Sequence, residues 1–378
     1  MILNLFPKRK RFFLFMKLKH LLFFVILFGH CIMVKAQFQF IQGRSYLSHK
    51  TSTPLKIDGL GNETAWQAAP WTDTFIDIEG SKKPKPYFDT KMKMLWDEDY
   101  FYFYAEMEEP HVWATLTERD AVIFYDNDFE IFIDPDGDTH NYYEYEVNAL
   151  NTVWDLLLTR PYRNGGHAID HWDIHGLKSA VHVNGTLNAP SDKDKGWSVE
   201  VAIPWDALSE ATSMKTPPNN GDQWRLNFSR VQWKTEVIDG KYVKQKDPKT
   251  GKNLPEHNWV WSPQRAIAMH EPEFWGIVQF SNKNVLDESF STIKVNKAEE
   301  EIRQVLYYFH RAQIDFRREH KAFDQSLKNF NLPNQVDGSK AVTYSLNNTE
   351  QTYLLKAQTT DATWFINETG RIWKEIKP

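Results

Sequence analysis

Four carboxylates stand at alternating positions on two short segments that are predicted to be strands. Asp128 and Glu130 share one face of residues 128–134, and Glu144 and Glu146 share one face of residues 142–148. Paired acids can hydrolyse a glycosidic bond, and they can also accept hydrogen bonds from sugar hydroxyls. Acids on an alternating strand also occur on the solvated face of a sheet. The pattern leaves all three interpretations open, with Glu130 plus Asp128 or Glu146 as the catalytic alternative.

Two further groups have the residue types of metal ligands. Three aspartates alternate in the turn after the first of these strands: Asp134, Asp136 and Asp138. Such alternating oxygens suggest calcium, although Gly137 lies at the wrong position for an EF-hand, and a plain turn is the alternative. Three histidines follow at intervals of four: His167, His171 and His175. They could bind zinc on a helix, but the flanking glycines favour a loop. Calcium is the one cofactor we expect, and we expect no organic cofactor.

Aromatic residues are the other lead, since they make up 15% of the chain. Six tryptophans lie in the second half of the strand-rich region: Trp172, Trp224, Trp233, Trp259, Trp261 and Trp275. A flat indole stacks well on the apolar face of a sugar ring, but most of these rings must fill a core. Trp172 is the better ligand candidate because its segment looks like a loop.

The elements that must position these residues are mostly strands. Short runs with period-two alternation or aromatic enrichment occur at 91–96, 100–108, 128–134, 142–148, 197–203, 223–233, 258–261 and 276–280. Turn signals such as Asn184-Gly185 separate them, and no helical period intervenes. The sequence therefore predicts a mainly β fold, an antiparallel β-sandwich over residues 53–282, preceded by a polar leader over 37–52.

The C-terminal part has a different pattern. Asn296 with Glu299 predicts a capped helix start, and apolar residues recur at three and four up to Phe316. We expect this helix to continue to about residue 330 and to be followed by strands at 342–346, 352–357, 363–366 and 371–373. Residues 283–378 are thus predicted to form a small α+β appendage without a catalytic constellation.

The N-terminus has the pattern of a secretory signal peptide. Residues 1–36 contain seven Lys or Arg and no acid, with an apolar run at 21–28 that is too short to span a bilayer. Cleavage would leave no stable membrane span and no cysteine, because the single Cys31 precedes the expected site. It would also leave 38 basic against 50 acidic residues, which argues against nucleic acid as a partner. We expect an exported protein: periplasmic, on the outer surface or secreted.

Six motifs in this order resemble carbohydrate-binding module family 9. They are Pro54-Leu55-Lys56-Ile57-Asp58-Gly59 with Trp66; Leu95-Trp96-Asp97-Glu98-Asp99-Tyr100-Phe101-Tyr102; Asp126–Asp134; Tyr142-Tyr143-Glu144 through Val147-Asn148; Val199–Trp205; and Trp275-Gly276. The resemblance covers about residues 53–281. It implies a β-sandwich, bound calcium and binding of sugars, classically at the reducing ends of plant polysaccharides, without catalysis by the module itself.

The site of that family carries over only in part. Its glycan slot lies between two tryptophans, and here the first place holds Phe124, or Tyr125 with a shift of one. The second place falls in residues 269–272, which include His270. Glu130 matches a sugar-contacting glutamate, and Glu146 replaces a contacting arginine. Asn227 falls on the Phe-Asn strand of the family.

The sequence thus predicts an exported, non-catalytic carbohydrate-binding protein that recognises a plant or microbial polysaccharide or its ends. The candidate ligand-binding residues are Phe124, Glu130, Glu146, Asn148, Trp172, Asn227, Arg230, Trp233, Trp261 and His270. Arg230 is included for its forked donors near Trp233. The alternatives are a glycoside hydrolase or lyase, and a scaffold in a glycan-uptake or export complex whose helix in 283–378 docks a protein partner.

Overall fold

A computed structural model describes residues 38–287 and 293–377 of the chain. The predicted signal peptide, residues 1–36, lies outside these described residues. The described residues from 40 onward form one compact unit. No helix among the described residues is long and apolar enough to span a membrane.

Strands dominate the larger part of this unit, as the alternation predicts. In chain order they are β1 Ser45–Lys50, β2 Ile76–Asp77, β3 Thr90–Trp96, β4 Tyr100–Glu108, β5 Asp128–Asp134, β6 Tyr142–Asn148, β7 Val153–Leu158, β8 Ala168–Ile169, β9 Lys178–Asn184, β10 Gly196–Pro204, β11 Gln223–Gln232, β12 Thr235–Ile238, β13 Lys241–Lys244, β14 His257–Val260 and β15 Gly276–Asn284. Two short helices interrupt them, α1 Thr64–Ala68 and α2 Trp205–Leu208. Short 3₁₀ turns lie at Gly80–Lys82, Ile123–Tyr125, Tyr162–Asn164 and Pro272–Phe274.

Thirteen of these strands form one mixed sheet that folds over on itself. The hydrogen-bonded order is β8-β7-β6-β5-β11-β15-β1-β3-β4-β10-β9, and β14 joins β11 and carries β2. Phe103 on β4 and Phe228 on β11 are four positions apart in this order, yet their ring centroids lie 5.9 Å apart. The two halves therefore face each other as a sandwich, which confirms the predicted fold class.

The pairing is antiparallel except around the first strand. β1 runs parallel to both of its neighbours, β15 and β3. The sequence predicts a polar leader over residues 37–52, whereas in the structure residues 45–50 form β1. Its local alternation is weak, and what orders it is pairing with a strand more than two hundred residues away.

Alternating side chains divide each strand between an inner and an outer face. Phe129, Ile131 and Ile133 of β5 point into the central core, which they share with apolar residues of β3, β4, β6, β10 and β11. The intervening residues Asp128, Glu130 and Phe132 point outward. The predicted strand faces are confirmed here, and the outward face of β5 and β6 is where the acidic residues meet.

The C-terminal part consists of one long helix and a small sheet. Helix α3 spans Lys297–His320, a 3₁₀ turn follows at Leu327–Asn329, and the strands are β16 Gln335–Val336, β17 Lys340–Ala341, β18 Thr343–Asn348, β19 Tyr353–Gln358, β20 Ala362–Asn367 and β21 Ile372–Ile376. The last four form an antiparallel sheet in sequence order. The Asn296 side chain accepts a hydrogen bond from the Glu299 backbone N–H, which is the predicted cap.

The helix is shorter than the expected end near residue 330. It stops at His320 because Lys321 takes a left-handed conformation and its backbone N–H bonds to the Arg317 carbonyl. The apolar face of α3 packs on the small sheet, with Ile302, Leu306 and Phe309 fully buried among residues of β19 and β20. This apolar face is therefore covered within the chain itself.

Candidate functional site

The outward acidic faces of β5 and β6 form the floor of a cleft of about 220 Å³. Glu130 lies directly opposite Glu146 in the antiparallel register, and Phe132 lies opposite Glu144. The two strands are neighbours, so the two acidic faces that the sequence suggests are in fact one surface. Glu130, Glu144 and Glu146 each expose 5% or less of their surface.

The walls of the cleft come from loops and from the neighbouring strands. Phe124 enters from the 3₁₀ turn before β5, Trp154 from β7 and Tyr162 from the loop after β7. Met269 and His270 complete the lining, from the loop before β15. Four of the predicted ligand residues, Phe124, Glu130, Glu146 and His270, therefore meet in one place.

Burial and mutual repulsion control the protonation of the floor. Burial raises the pKa of Glu130 to about 7. Burial first, and then the charge of Glu130, hold the pKa of both Glu144 and Glu146 well above the ordinary value of 4.5. Asp128, at the end of the row, has its pKa raised by burial and then by Glu130. The floor therefore carries less negative charge near neutral pH than four free carboxylates would.

Few protein donors serve these carboxylates. The backbone N–H of Phe124 donates to Glu146 Oε2 at 3.1 Å, and that of Val231 donates to Asp128 Oδ1 at 3.0 Å. Asp128 Oδ2 is buried without a hydrogen-bond partner among the described residues. Asp128 does not line the cleft, whereas Glu130, Glu144 and Glu146 do, and their oxygens can accept hydrogen bonds from a ligand.

His270 is fixed as a neutral ring. Its Nδ1 lies 2.8 Å from the Tyr142 hydroxyl, and its ring meets Tyr162 edge-on with centroids 4.6 Å apart. Burial lowers the pKa of His270 to about 4, so it is uncharged at neutral pH. Its Nε2 lies 4.0 Å from Glu144 Oε2. The histidine therefore shapes the wall and supplies no positive charge.

Sequence reasoning missed Trp154, Tyr162 and Met269 as wall residues. The sequence does contain a signal for Trp154, which lies between Val153 and Asp155 in a short run of strand-forming residues. In the structure, Trp154 lies opposite Glu146 on the neighbouring strand. Tyr162 and Met269 lie in loops, and no local pattern indicates that these loops fold over the β5–β6 face.

Several predicted ligand residues lie elsewhere, and for these the expectation is corrected. Trp261 is 1% exposed, and its ring packs against Phe228 in the central core. Asn227 is fully buried and ties β11 to Ser262, donating to its carbonyl at 2.8 Å. Asn148 is also fully buried and donates to the Leu116 carbonyl at 2.9 Å. Their side chains are used in holding the backbone or filling the core.

Arg230 faces the interior, on the opposite side of β11 from the cleft. It is 1% exposed, pairs with Glu109 at 3.2 Å, and donates to the Thr90 hydroxyl at 3.0 Å. Removal of its partner would leave a buried charge, so its role is structural.

Trp172 and Trp233 do not line the cleft. The Trp172 ring lies 5.1 Å from Tyr143, and its Nε1 donates to Glu210 at 2.7 Å. Trp233 Nε1 donates to the Phe124 carbonyl at 2.9 Å, so this ring supports the turn that presents Phe124. Trp233 thus positions a wall residue and does not offer a face of its own.

The aspartate-rich turn after β5 forms a compact cluster. One carboxylate oxygen from each of Asp134, Asp136 and Asp138 lies within 4.8 Å of the others. Burial, followed by the neighbouring aspartates, raises the pKa of Asp134 well above its ordinary value. The backbone N–H groups of Gly137 and Thr139 donate to the two Asp134 oxygens at 2.9 and 2.8 Å.

Two arginines of the C-terminal part complete this turn. Arg303 on α3 donates to the Gly137 carbonyl, and Arg371 Nε donates to Asp138 Oδ2 at 2.8 Å. Calcium requires six to eight oxygen ligands, whereas here a carbonyl and a carboxylate are taken by guanidinium groups. The residues as arranged do not fit the calcium ion that the resemblance implies.

Two larger cavities contain none of the predicted ligand residues. One, of about 530 Å³, lies over β4 and β10, where Lys91 and Glu106 pair at 3.2 Å. The other, of about 400 Å³, lies between the aspartate-rich turn and the C-terminal part. Charged residues there pair with each other, as Lys374 does with Glu299 at 2.9 Å. The β5–β6 cleft is smaller, but there three buried glutamates meet aromatic walls.

Comparison with known proteins agrees with the architecture. A family described as carbohydrate family 9 binding domain-like matches residues 57–282. Endo-1,4-beta-xylanase A of Thermoanaerobacterium saccharolyticum is 24% identical over 146 residues, which are 37% of this chain and 11% of the xylanase. The chain thus spans about a tenth of the length of that curated relative.

Solved structures give weaker similarity over a longer stretch. A family 9 carbohydrate-binding module from Caldicellulosiruptor kristjanssonii in complex with cellotriose is 18% identical, with a TM-score of 0.39, covering 66% of this chain and all of that one. A module from the same organism in complex with glucose is 17% identical, with a TM-score of 0.39, covering 65% of this chain and all of that one. The assignment does not depend on these two: with a match over residues 57–282, this chain belongs to the carbohydrate family 9 binding domain-like family.

Proposed function

We propose that this chain is an exported, non-catalytic protein that binds a plant or microbial polysaccharide, or its ends, in the β5–β6 cleft. The observation that carries the proposal is the meeting of Phe124, Glu130, Glu146 and His270 in that cleft. These positions come from separate segments and correspond to the ligand positions that the family resemblance implies. The match to the carbohydrate family 9 binding domain-like family supports a sugar as the ligand class.

The cleft has the two components that sugar binding needs. Phe124, Trp154 and Tyr162 offer flat surfaces for the C–H face of a pyranose ring. The floor glutamates accept hydrogen bonds from hydroxyl groups, and Trp154 Nε1, which has no partner among the described residues, can donate one. Replacement of indole by the phenyl ring of Phe124 reduces the stacking area, so we expect weaker binding than a paired-Trp slot gives.

The test is a glycan array followed by isothermal titration calorimetry on the folded chain. Phe124→Ala and Glu130→Gln should each reduce affinity about tenfold or more, because each removes about 1.5 kcal/mol of contact energy. Tyr125→Ala is the matched control, since Tyr125 is adjacent but 55% exposed and does not line the cleft. If binding survived both cleft variants but fell with Tyr125→Ala, the sugar-binding site would lie on a different surface.

A hydrolase remains the second candidate because of one distance. Carboxylate oxygens of Asp128, Glu130 and Glu146 lie within 4.8 Å of one another, close to the separation of about 5–5.5 Å in retaining glycosidases. Against it, Asp128 is fully buried below the floor. Release of reducing sugar by the purified chain, abolished in Glu130→Gln, would establish hydrolysis. Binding without turnover would exclude it for the glycans tested.

A further inference from the structure

The β5–β6 cleft is acidic without a compensating cation. Its floor carries three glutamates, Glu256 lies on its rim, and no lysine or arginine is among the described residues that line it. Lys244 lies nearby but outside, with its ammonium 3.6 Å from the centroid of the Trp233 ring. The one histidine in the wall is neutral for the reasons given above.

Glu144 lines the cleft, and its side chain shares a hydrogen bond with that of Glu146. The Glu144 side chain is 7% exposed, and no N–H of the described chain donates to it. Its polar neighbours are Glu146 and, at 4.0 Å, the ring of His270. A buried carboxylate is normally matched by a donor or a cation, and here the open side of Glu144 faces the cleft.

We propose that the cleft selects a protonated amino sugar, with the sugar ammonium placed against Glu144 and Glu146. This inference rests on the proposed sugar-binding function and narrows its ligand class. The three donors of an ammonium group can bond to oxygens of Glu144 and Glu146, and its positive charge offsets the repulsion among the floor glutamates. The aromatic walls then contact the C–H face of the same ring. A neutral sugar would bury the same carboxylates further and leave their repulsion in place.

The experiment compares three trisaccharides on the unmodified, folded chain by calorimetry near neutral pH. They are cellotriose, the β-1,4-linked glucosamine trimer and its fully N-acetylated form, which differ only at the 2-position. We expect the glucosamine trimer to bind at least about tenfold more tightly than either neutral trimer, since a charged donor replaces a neutral one. Glu144→Gln and Glu146→Gln should each reduce that preference, while the exposed Glu319→Gln should preserve it.

The outcomes separate the two proposals. Equal or tighter binding of cellotriose would overturn the amino-sugar inference and leave sugar binding in place. If the folded chain bound none of the three, both would fail. Titration with calcium or manganese chloride alone tests the competing occupant, a divalent cation held by Asp128, Glu130 and Glu146. Metal binding that is lost in Glu146→Gln, without any preference for the glucosamine trimer, would also overturn the inference.

Discussion

The buried floor of the cleft should make the protein less stable as pH rises from about 5 to about 8. Burial raises the pKa of Glu130 from 4.5 to about 7. The folded chain therefore holds this proton more tightly than the unfolded chain does. The resulting stabilisation is fully present below the unfolded pKa and is lost as pH rises through the folded pKa. The gap between the two values corresponds to about 3 kcal/mol for Glu130 alone.

Urea denaturation of the unmodified chain and of Glu130→Gln at both pH values measures this effect. The amide cannot ionise, so the variant should gain about 2.5 kcal/mol relative to the unmodified chain between the lower and the higher pH, because a small part of the effect has already occurred at pH 5. Any packing cost of the amide is common to both pH values and cancels in this comparison. Glu319→Gln, an exposed change on α3, should show no such gain.

The reasoning would be refuted if the difference in unfolding free energy between Glu130→Gln and the unmodified chain were the same at both pH values, within about 0.5 kcal/mol. That result would mean that the floor is solvated and that its glutamates ionise normally.

Three further predictions concern the scaffold. Glu200→Ala should cost about 3 kcal/mol in urea denaturation, because the buried Glu200 accepts hydrogen bonds from the Asp58 and Gly59 backbone and from Trp66 Nε1 at 2.7–2.9 Å; a loss near zero would contradict this role. Gly276→Ala should cost about 1–3 kcal/mol, since the new Cβ would lie 2.2 Å from the Trp261 ring; an unchanged thermal midpoint would show that the ring can move away. Chelation with EDTA should leave the thermal midpoint unchanged, because arginines and backbone N–H groups already bond to oxygens of the aspartate-rich turn. A marked decrease in the midpoint would instead support a bound calcium ion in this turn.

Much of the strand content follows from local alternation. The bounds of β4, β5 and β6 agree with the sequence prediction, because their apolar side chains repeat every second residue against one core. β9 was missed since its residues are mostly half-buried or exposed and give no strong alternation. β1 was missed because its order depends on partners distant in sequence.

The candidate site was predictable in part from two signals. Strand alternation indicated Glu130 and Glu146, and the order of the motifs indicated Phe124 and His270, whereas composition alone could not distinguish Trp261 from a ligand-binding ring. A tryptophan in a strand becomes core or site according to which sheet it faces, and that depends on long-range packing. The neighbourhood of Glu130 and Glu146 likewise needed the register of β5 with β6.

The position of β1 has a practical consequence for the limits of the folded module. The family match begins at residue 57, after this strand, but β1 lies between β15 and β3 and connects them. A fragment trimmed to residues 57–282 would lack β1, so β15 and β3 would each have an edge of unpaired backbone N–H and C=O groups. Such open edges pair with other molecules. Preparations of the isolated sandwich should therefore start before Ser45, or they will tend to aggregate whatever the state of the cleft.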